Sequence, residues 1–599
     1  MSLLFFLTNV IGKNWIKKNV LQLLKINDDM QLILFNIIKM KTVYILVLFF
    51  TLSSLKAQTE VIDFGDIPLG RLSATKWQNF KWNSSGNWEI IDVTKRGIVP
   101  GAPEDIAPKV MSIINNGSGK RILKFPVGTF HIKSRLKILK GDIQIVGEGK
   151  ATKFMLQGGA NAGYITIFGN ESGDYKLAAD ASRSDSKVTL TSTSGLNVGD
   201  YFIVKQGGSL IRPNANPLIT GKETQIFKII AKSGNELSLD MNFGIPFFKD
   251  HTTVLKMNFL KNIRFHNFYI ERPSTTNGNG DVNIYLRMLQ NAEFSNIESK
   301  NALKTHIALF NSRDVIFFQN YLHGNFGCDK CGGYQYGISL VSCTRVNLIN
   351  NRGSNLRHFF ISQFGTNHSV FAYNRAESPY NHYGDIGQHN SKGCHNNLFE
   401  GNYGKEIFDD GNERAGWGTR YTMWFRNHAI TQIGSTSRFV EDMTIIGNEI
   451  ESENGERTGI RDGEVGMPGK NTFSGGNILN VSVEGEDGNV VWGDMKPEDQ
   501  IPASLFLSEK PDYLNKWPLY GTPASSQLGI DGILEKKKLL FPNPTNGLVH
   551  LPEVIEWEVF SIKGALLNSG ESKKIDLHKY KSGVYLILIK GKLHKLLKH

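Results

Sequence analysis

Between residues 357 and 421 the chain gathers side chains that can move protons, carry charge and stack on rings. Asp385, Asp410 and Glu413 are carboxylates; His358 and His389 are imidazoles, which change charge near neutral pH. Arg357, Lys405 and Arg420 are cations, and Tyr383, Trp417 and Tyr421 supply aromatic faces. Two carboxylates held close together cannot both ionise at neutral pH, so one keeps its proton and the pair can serve as general acid and general base. A histidine, lysine or arginine in the same cluster could instead take a proton from carbon or neutralise a neighbouring negative charge. A knot of acids could also hold Ca²⁺, which takes oxygen ligands.

Whether these groups meet depends on the elements that carry them. A short apolar run closed by asparagine returns at Asn267, Asn296, Asn320, Asn351, Asn374, Asn402, Asn427, Asn448 and Asn477, at intervals of 21 to 31 residues. Between these beats lie Gly, Asn, Ser and Asp, and no helical pattern of ten residues or more. A period near 26 built from short strands without crossover helices predicts a parallel β-helix, in which coils stack about 4.8 Å apart. The asparagines are expected to bond from coil to coil inside the turns, satisfying backbone groups that the bends leave open.

That geometry converts sequence separation into proximity. Counted from the asparagine that opens each coil, Asp385 and Glu413 share an offset of 11; counted back from the one that closes it, Asp385 and Asp410 share 17. Either count sets Asp385 beside an acid, with the carboxylates about 5–8 Å apart, the range that glycosidases use. The same face suits β-elimination in a uronic-acid chain, with Arg357, His358, His389, Lys405 or Arg420 as base or neutraliser. Tyr383, Trp417, Tyr421 and Trp424 would line a sugar groove. Plain structural readings compete: Asp409–Asn412 is a strong turn signal, His389 and His395 suit hydrogen-bonded loops, and Trp417 and Trp424 suit a core.

The stretch Asp92–Ile138 resembles the opening of pectate-lyase-superfamily β-helices, where a short helix caps the stack and an F-P-x-G-x-[FY] strand, here Phe125–Phe130, begins it. The run VPGAPED departs from the acidic run usual there. The resemblance implies a right-handed parallel β-helix. Residues 187–240 read as a β-rich insertion, and 501–540 as an extended tail and linker with Pro and Trp as anchors.

From Phe541 the chain reads FPNPTNGLVHL, then VFSIKGALL, then SGVYLILI. These runs resemble the C-terminal sorting domain of the type IX secretion system of Bacteroidetes, which implies a small β-sandwich at 541–599 and export to the cell surface or medium. At the other end, MKTVYILVLFFTLSSLKAQ has the charged start, apolar middle and small-residue cleavage point of a signal peptide, but it begins at Met40. Residues 40–57 are therefore read as the signal peptide and 1–39 as an upstream extension from a misplaced start. Residues 58–500 form the β-helix domain.

The net charge is +12, yet most of it lies in residues 1–58 and 531–599. The middle is close to neutral, so no nucleic-acid partner is expected. Four cysteines in 599 residues make no disulfide framework. The Cys328/Cys331 pair is open to a local disulfide, buried thiols, or a metal or redox role. The sequence reading is an all-β chain: a secreted, monomeric β-helix with a sorting domain and no transmembrane segment after processing. Its expected partners are a polysaccharide substrate and the type IX machinery. Lyase-like cleavage leads, with a paired-carboxylate glycoside hydrolase and a non-catalytic glycan-binding protein or adhesin as alternatives. Calcium is an open question.

Overall fold

The computed structural model describes residues 77–515, apart from 84, 158–163, 208–222, 274–281, 327–334, 378–385, 390–392, 411–418, 436–439, 441, 451–458, 465–466, 469–472, 476–477, 480–489 and 493–502. It also describes 547–598, apart from 562–564 and 590–591. The chain divides into units Met1–Asp66 and Ile67–His599. The upstream extension, the signal peptide, the linker from 516 and the Cys328/Cys331 pair lie outside the described residues.

Coil after coil, three short strands pair in parallel with their equivalents in the next coil. Sheet I contains Tyr336–Val341, His358–Gln363 and Ile386–His389; sheet II contains Thr344–Ile349, Val370–Ala372 and Leu398–Glu400; sheet III contains Arg352–Ser354 and Arg375–Glu377. Strand pairs of this kind wind right-handed. The fold is the parallel β-helix expected from the spacing.

The interior is built from columns. On sheet II, Phe265, Phe294, Phe317, Leu348, Phe371, Phe399 and Trp424 follow one another rung by rung. All are buried, and the rings of Phe371 and Phe399 lie 4.5 Å apart at 7°. Trp424 continues that stack at 5.9 Å, so it is core and not part of a sugar groove. Offset stacking of this kind adds to area burial.

The corner between sheets II and III carries the asparagine ladder. Each Nδ2 donates to the next Oδ1: Asn320 to Asn351, Asn351 to Asn374, Asn374 to Asn402, Asn402 to Asn427 and Asn427 to Asn448, at 2.9–3.0 Å. Each Oδ1 also accepts the backbone N–H of the preceding asparagine. Asn267 and Asn296 are an exception to the expected ladder. They stand one residue earlier, where the backbone is left-handed (φ 64° and 53°), in the column continued by Gln319, Asn350, Tyr373 and Gly401. Asn477 lies outside the described residues. A left-handed bend of this sort favours Asn and Gly, so the sequence motif mixes two adjacent roles.

The helix Ala107–Asn116 caps the first coil through Ala107, Val110 and Ile114. Arg121, 2% exposed, closes the helix end by donating to the carbonyls of Ile113 and Ile114 at 2.8 Å. Gly128 of the F-P-x-G run has φ 140°, and a Cβ there would meet Pro100 at 2.4 Å. The insertion is wider than 187–240: its six strands run from Asn170–Lys176 to Thr252–Asn258 in one antiparallel sheet. The C-terminal strands Leu548–Ser561, Leu566–Asp576, Gly583–Ile589 and Lys592–Lys598 form a separate antiparallel sheet with its own core around Trp557, Ile575 and Ile587.

Two extended segments cross the outside of sheet II. Residues 77–83 run along its edge: Trp77 Nε1 donates to the Asn396 carbonyl at 2.8 Å, Asn347 Nδ2 to that of Gln78 at 2.9 Å, and Asn291 Nδ2 to that of Asn83 at 3.2 Å. The tail around 503–515 is held at Glu400, which is fully buried. Glu400 accepts from Tyr373 Oη at 2.5 Å and from the Leu505 N–H at 2.8 Å. Burial pushes its carboxyl up to about 7, against the opposing pull of the Ser504, Tyr373 and Leu505 hydrogen bonds and the Arg426 charge. With a folded pKa above the unfolded one, tail docking is strongest below about 4.5 and weakens as pH rises through about 7, by up to about 3 kcal/mol. Limited proteolysis at pH 5 and pH 8 should therefore cut the tail faster at pH 8 in the native chain, and at equal rates in Glu400→Gln.

Candidate functional site

The expected site residues fall into three places around sheet I. Arg357 and Lys405 lie at the corner where strands enter the sheet; both are half-buried. The Arg357 N–H bonds the Gln335 carbonyl at 3.0 Å, and the Lys405 carbonyl accepts from Thr431 Oγ1 at 3.1 Å. His358 opens its strand but is 4% exposed, with its ring 5.4 Å from that of Tyr336. It is a packed imidazole and not one facing solvent.

At the exit of the same sheet, the ladder pairs Gln363 with the column of Val341, then Gln388 with Asp409 and His389 with Asp410. The spacing counts had set Asp385 beside Asp410 or beside Glu413. The pairing corrects the first: His389 is opposite Asp410, and Ile386 is opposite Ile407. The counts assumed equal loops, and these coils differ in loop length. Tyr383, Asp385, Glu413 and Trp417 lie outside the described residues. Lys405 and Asp410 stand five residues apart on the strand Tyr403–Asp410, which bends at Lys405 between sheets III and I.

Arg420 and Tyr421 are in the third place, under the insertion. Arg420 is 9% exposed and its Nη2 reaches Glu223 Oε1 at 3.0 Å. The Arg183 guanidinium covers the Tyr421 ring at 3.9 Å, and burial raises its phenol. Both are tied to the insertion, as is His395, whose imidazole bonds the Thr224 carbonyl and is pushed by burial down to about 3. The expectation of substrate contact came from residue type alone; seating the insertion is what these side chains do here. Removing one partner of a buried ion pair costs about 3–5 kcal/mol. Arg420→Ala should lower the melting temperature markedly, and Arg420→Ala with Glu223→Gln should recover part of that loss.

Beneath the His389–Asp410 pair the interior turns polar, a feature the sequence reading missed. The inward column Leu309, Leu340, Ser362, Gln388, Asp409, Ser435 passes from leucine to polar groups at the middle of the stack. Asp409 is fully buried; its Oδ2 accepts from the Thr419 N–H at 3.2 Å and Ser435 Oγ at 3.0 Å. Gln388 Nε2 donates to Thr422 Oγ1 at 3.3 Å. These bonds fix the backbone at the strand ends that pair His389 with Asp410, whose side chains lie outside the described residues. The period-two alternation of Ile407, Asp409 against Phe408, Asp410 was the available signal. Among the described residues no group of three or more His, Cys, Asp or Glu is placed to hold a metal ion. Cys343 and Cys394 are free and buried.

Residues 539–599 match the family described as the secretion system C-terminal sorting domain. The chain thus joins a parallel β-helix to a type IX sorting signal, and such a signal marks proteins exported to the cell surface or the medium. Among the described residues no helix is long and apolar enough to cross a membrane. Similar solved structures include the Gp54 tailspike of Acinetobacter baumannii bacteriophage AP22, solved with a capsular saccharide. It is 15% identical with a TM-score of 0.46 over 67% of each chain. The tailspike gp61 of Pseudomonas phage phi297 is 11% identical, TM-score 0.46, over 82% of this chain and 96% of its own. PfbA, a surface adhesin of Streptococcus pneumoniae, is 9% identical, TM-score 0.37, over 85% and 99%. Comparison with curated proteins gave no match.

Proposed function

We propose that this exported β-helix cleaves a uronic-acid-containing polysaccharide by β-elimination, at the exit edge of sheet I. The observation that supports it most is the pairing of His389 with Asp410 on adjacent rungs, above a buried polar network that holds both strand ends. Elimination takes the C5 proton, forms the C4–C5 double bond and breaks the C4–O bond; a neutral imidazole suits the first step near neutral pH, and the imidazolium it becomes can return the proton to the departing oxygen. Asp410, one rung away, favours the imidazolium that forms once the proton is taken. Arg357 and Lys405, at the entry edge, attract carboxylates on sugars further along the same chain.

Hydrolysis would require a second carboxylate beside Asp410. Among the described residues its neighbour in the ladder is His389, and Asp409, next in sequence, is buried and bonded inward. That arrangement favours elimination. Incubating the chain with polygalacturonate and with alginate tests the reading: elimination yields products that absorb in the ultraviolet through a new double bond. New reducing ends without that absorbance would replace it with hydrolysis, and binding without turnover would make the protein a glycan-binding one.

A further inference from the structure

We infer that the outer face of sheet II carries a second, non-catalytic saccharide-binding groove, shaped for an uncharged glycan chain. The two segments that cross this face leave a cleft of about 1590 Å³ between them. Residues 79–82 and Trp88 form one wall and 506–515 the other, with a floor of sheet II side chains from Ile122 to Ile349. The floor spans five rung intervals, or about 24 Å at roughly 4.8 Å each. That is an elongated trough, larger than the pockets that enclose small ligands, and long enough for several linked sugar rings.

Its lining holds both aromatic rings and hydrogen-bonding groups, which suit the C–H faces and hydroxyls of a pyranose chain; the Arg264 guanidinium lies over the Trp82 ring at 5.2 Å. Trp82 and Trp88 are both half-buried and 5.8 Å apart on one wall; Phe318 and Tyr513 are 5.5 Å apart where the floor meets the other. In the floor, Gln144 is 4% exposed yet makes no side-chain hydrogen bond among the described residues. Trp82 Nε1 has no acceptor either. The Gln144 amide opens onto the cleft, where a sugar hydroxyl can serve both its donor and its acceptor.

Charge selects the class of glycan. Lys81, Arg264 and Lys510 are balanced by Glu293, Glu509 and Asp512, and Arg264 Nε is bonded to Glu293 at 2.9 Å. A balanced lining does not concentrate a polyanion, so this groove and the basic corner of sheet I differ in what they attract. The groove does not depend on the elimination reading.

Isothermal titration calorimetry of the full chain with cellohexaose, xylohexaose, laminarihexaose and hexagalacturonate tests the assignment. At least one of the three uncharged hexasaccharides should bind, and Trp82→Ala and Tyr513→Ala, on opposite walls, should each weaken it at least tenfold. His389→Ala should bind it unchanged, and Trp82→Ala should retain whatever polysaccharide cleavage the native chain shows. The assignment is overturned if no uncharged hexasaccharide binds, if hexagalacturonate alone does, or if both wall variants bind as the native chain does.

Discussion

Replacing His389 by alanine is expected to lower polysaccharide cleavage by about two to four orders of magnitude, the usual worth of a positioned general base. The loss should fall on kcat, with KM little changed, because a base that acts on one proton contributes little to holding a long chain. Asp410→Asn should fall in the same direction by a smaller factor, since the amide keeps the shape but no longer favours the imidazolium. Arg357→Ala and Lys405→Ala should show the opposite division. Those residues stand at the entry edge of sheet I and Asp410 at its exit, so their loss should raise KM and leave kcat nearly intact. Steady-state kinetics on polygalacturonate or alginate separates the two patterns. A fall in KM-dependent binding alone for His389→Ala would place the base elsewhere.

Breaking the asparagine ladder should have the largest effect on stability. Asn374 is fully buried; it donates to Asn402 Oδ1 at 3.0 Å and the Leu348 carbonyl at 2.8 Å. It also accepts from the backbone N–H and Nδ2 of Asn351. Leucine at 374 leaves two donors and a carbonyl without partners inside a packed corner, each at about 1–3 kcal/mol. Asn296 supplies the control, because it is exposed and its value lies in tolerating a left-handed backbone. Asn296→Ala should cost about 1–2 kcal/mol from conformation alone. Denaturation midpoints should therefore fall several times further for Asn374→Leu than for Asn296→Ala; equal falls would mean that the ladder bonds contribute little.

Those two asparagines also mark how far the sequence could be read. Periodicity was enough for the β-helix, since an apolar run closed by a turn residue every two dozen positions has few other solutions. It could not separate Asn296 from Asn320, because a left-handed bend and a laddering amide both select asparagine one residue apart. The same imprecision affected the site. Counting between asparagines aligned Asp385 with Asp410 in one register and with Glu413 in the other, whereas the strands align His389 with Asp410, because loops of unequal length break any count that runs across them. Arg420 and Tyr421 were misjudged for another reason: the insertion that covers them arrives from some two hundred residues away. The groove on sheet II escaped notice because its walls come from residues 79–88 and 506–515, which no local pattern joins. The sorting domain was the most legible part, since its motifs are local and contiguous.

The most direct test of the central claim is to follow ultraviolet absorbance while the native chain and its His389→Ala variant act on polygalacturonate and on alginate. Absorbing, unsaturated oligosaccharides are expected from at least one of these polymers with the native chain, and almost none with the variant. Reducing ends without absorbance, or equal rates from both proteins, would contradict it.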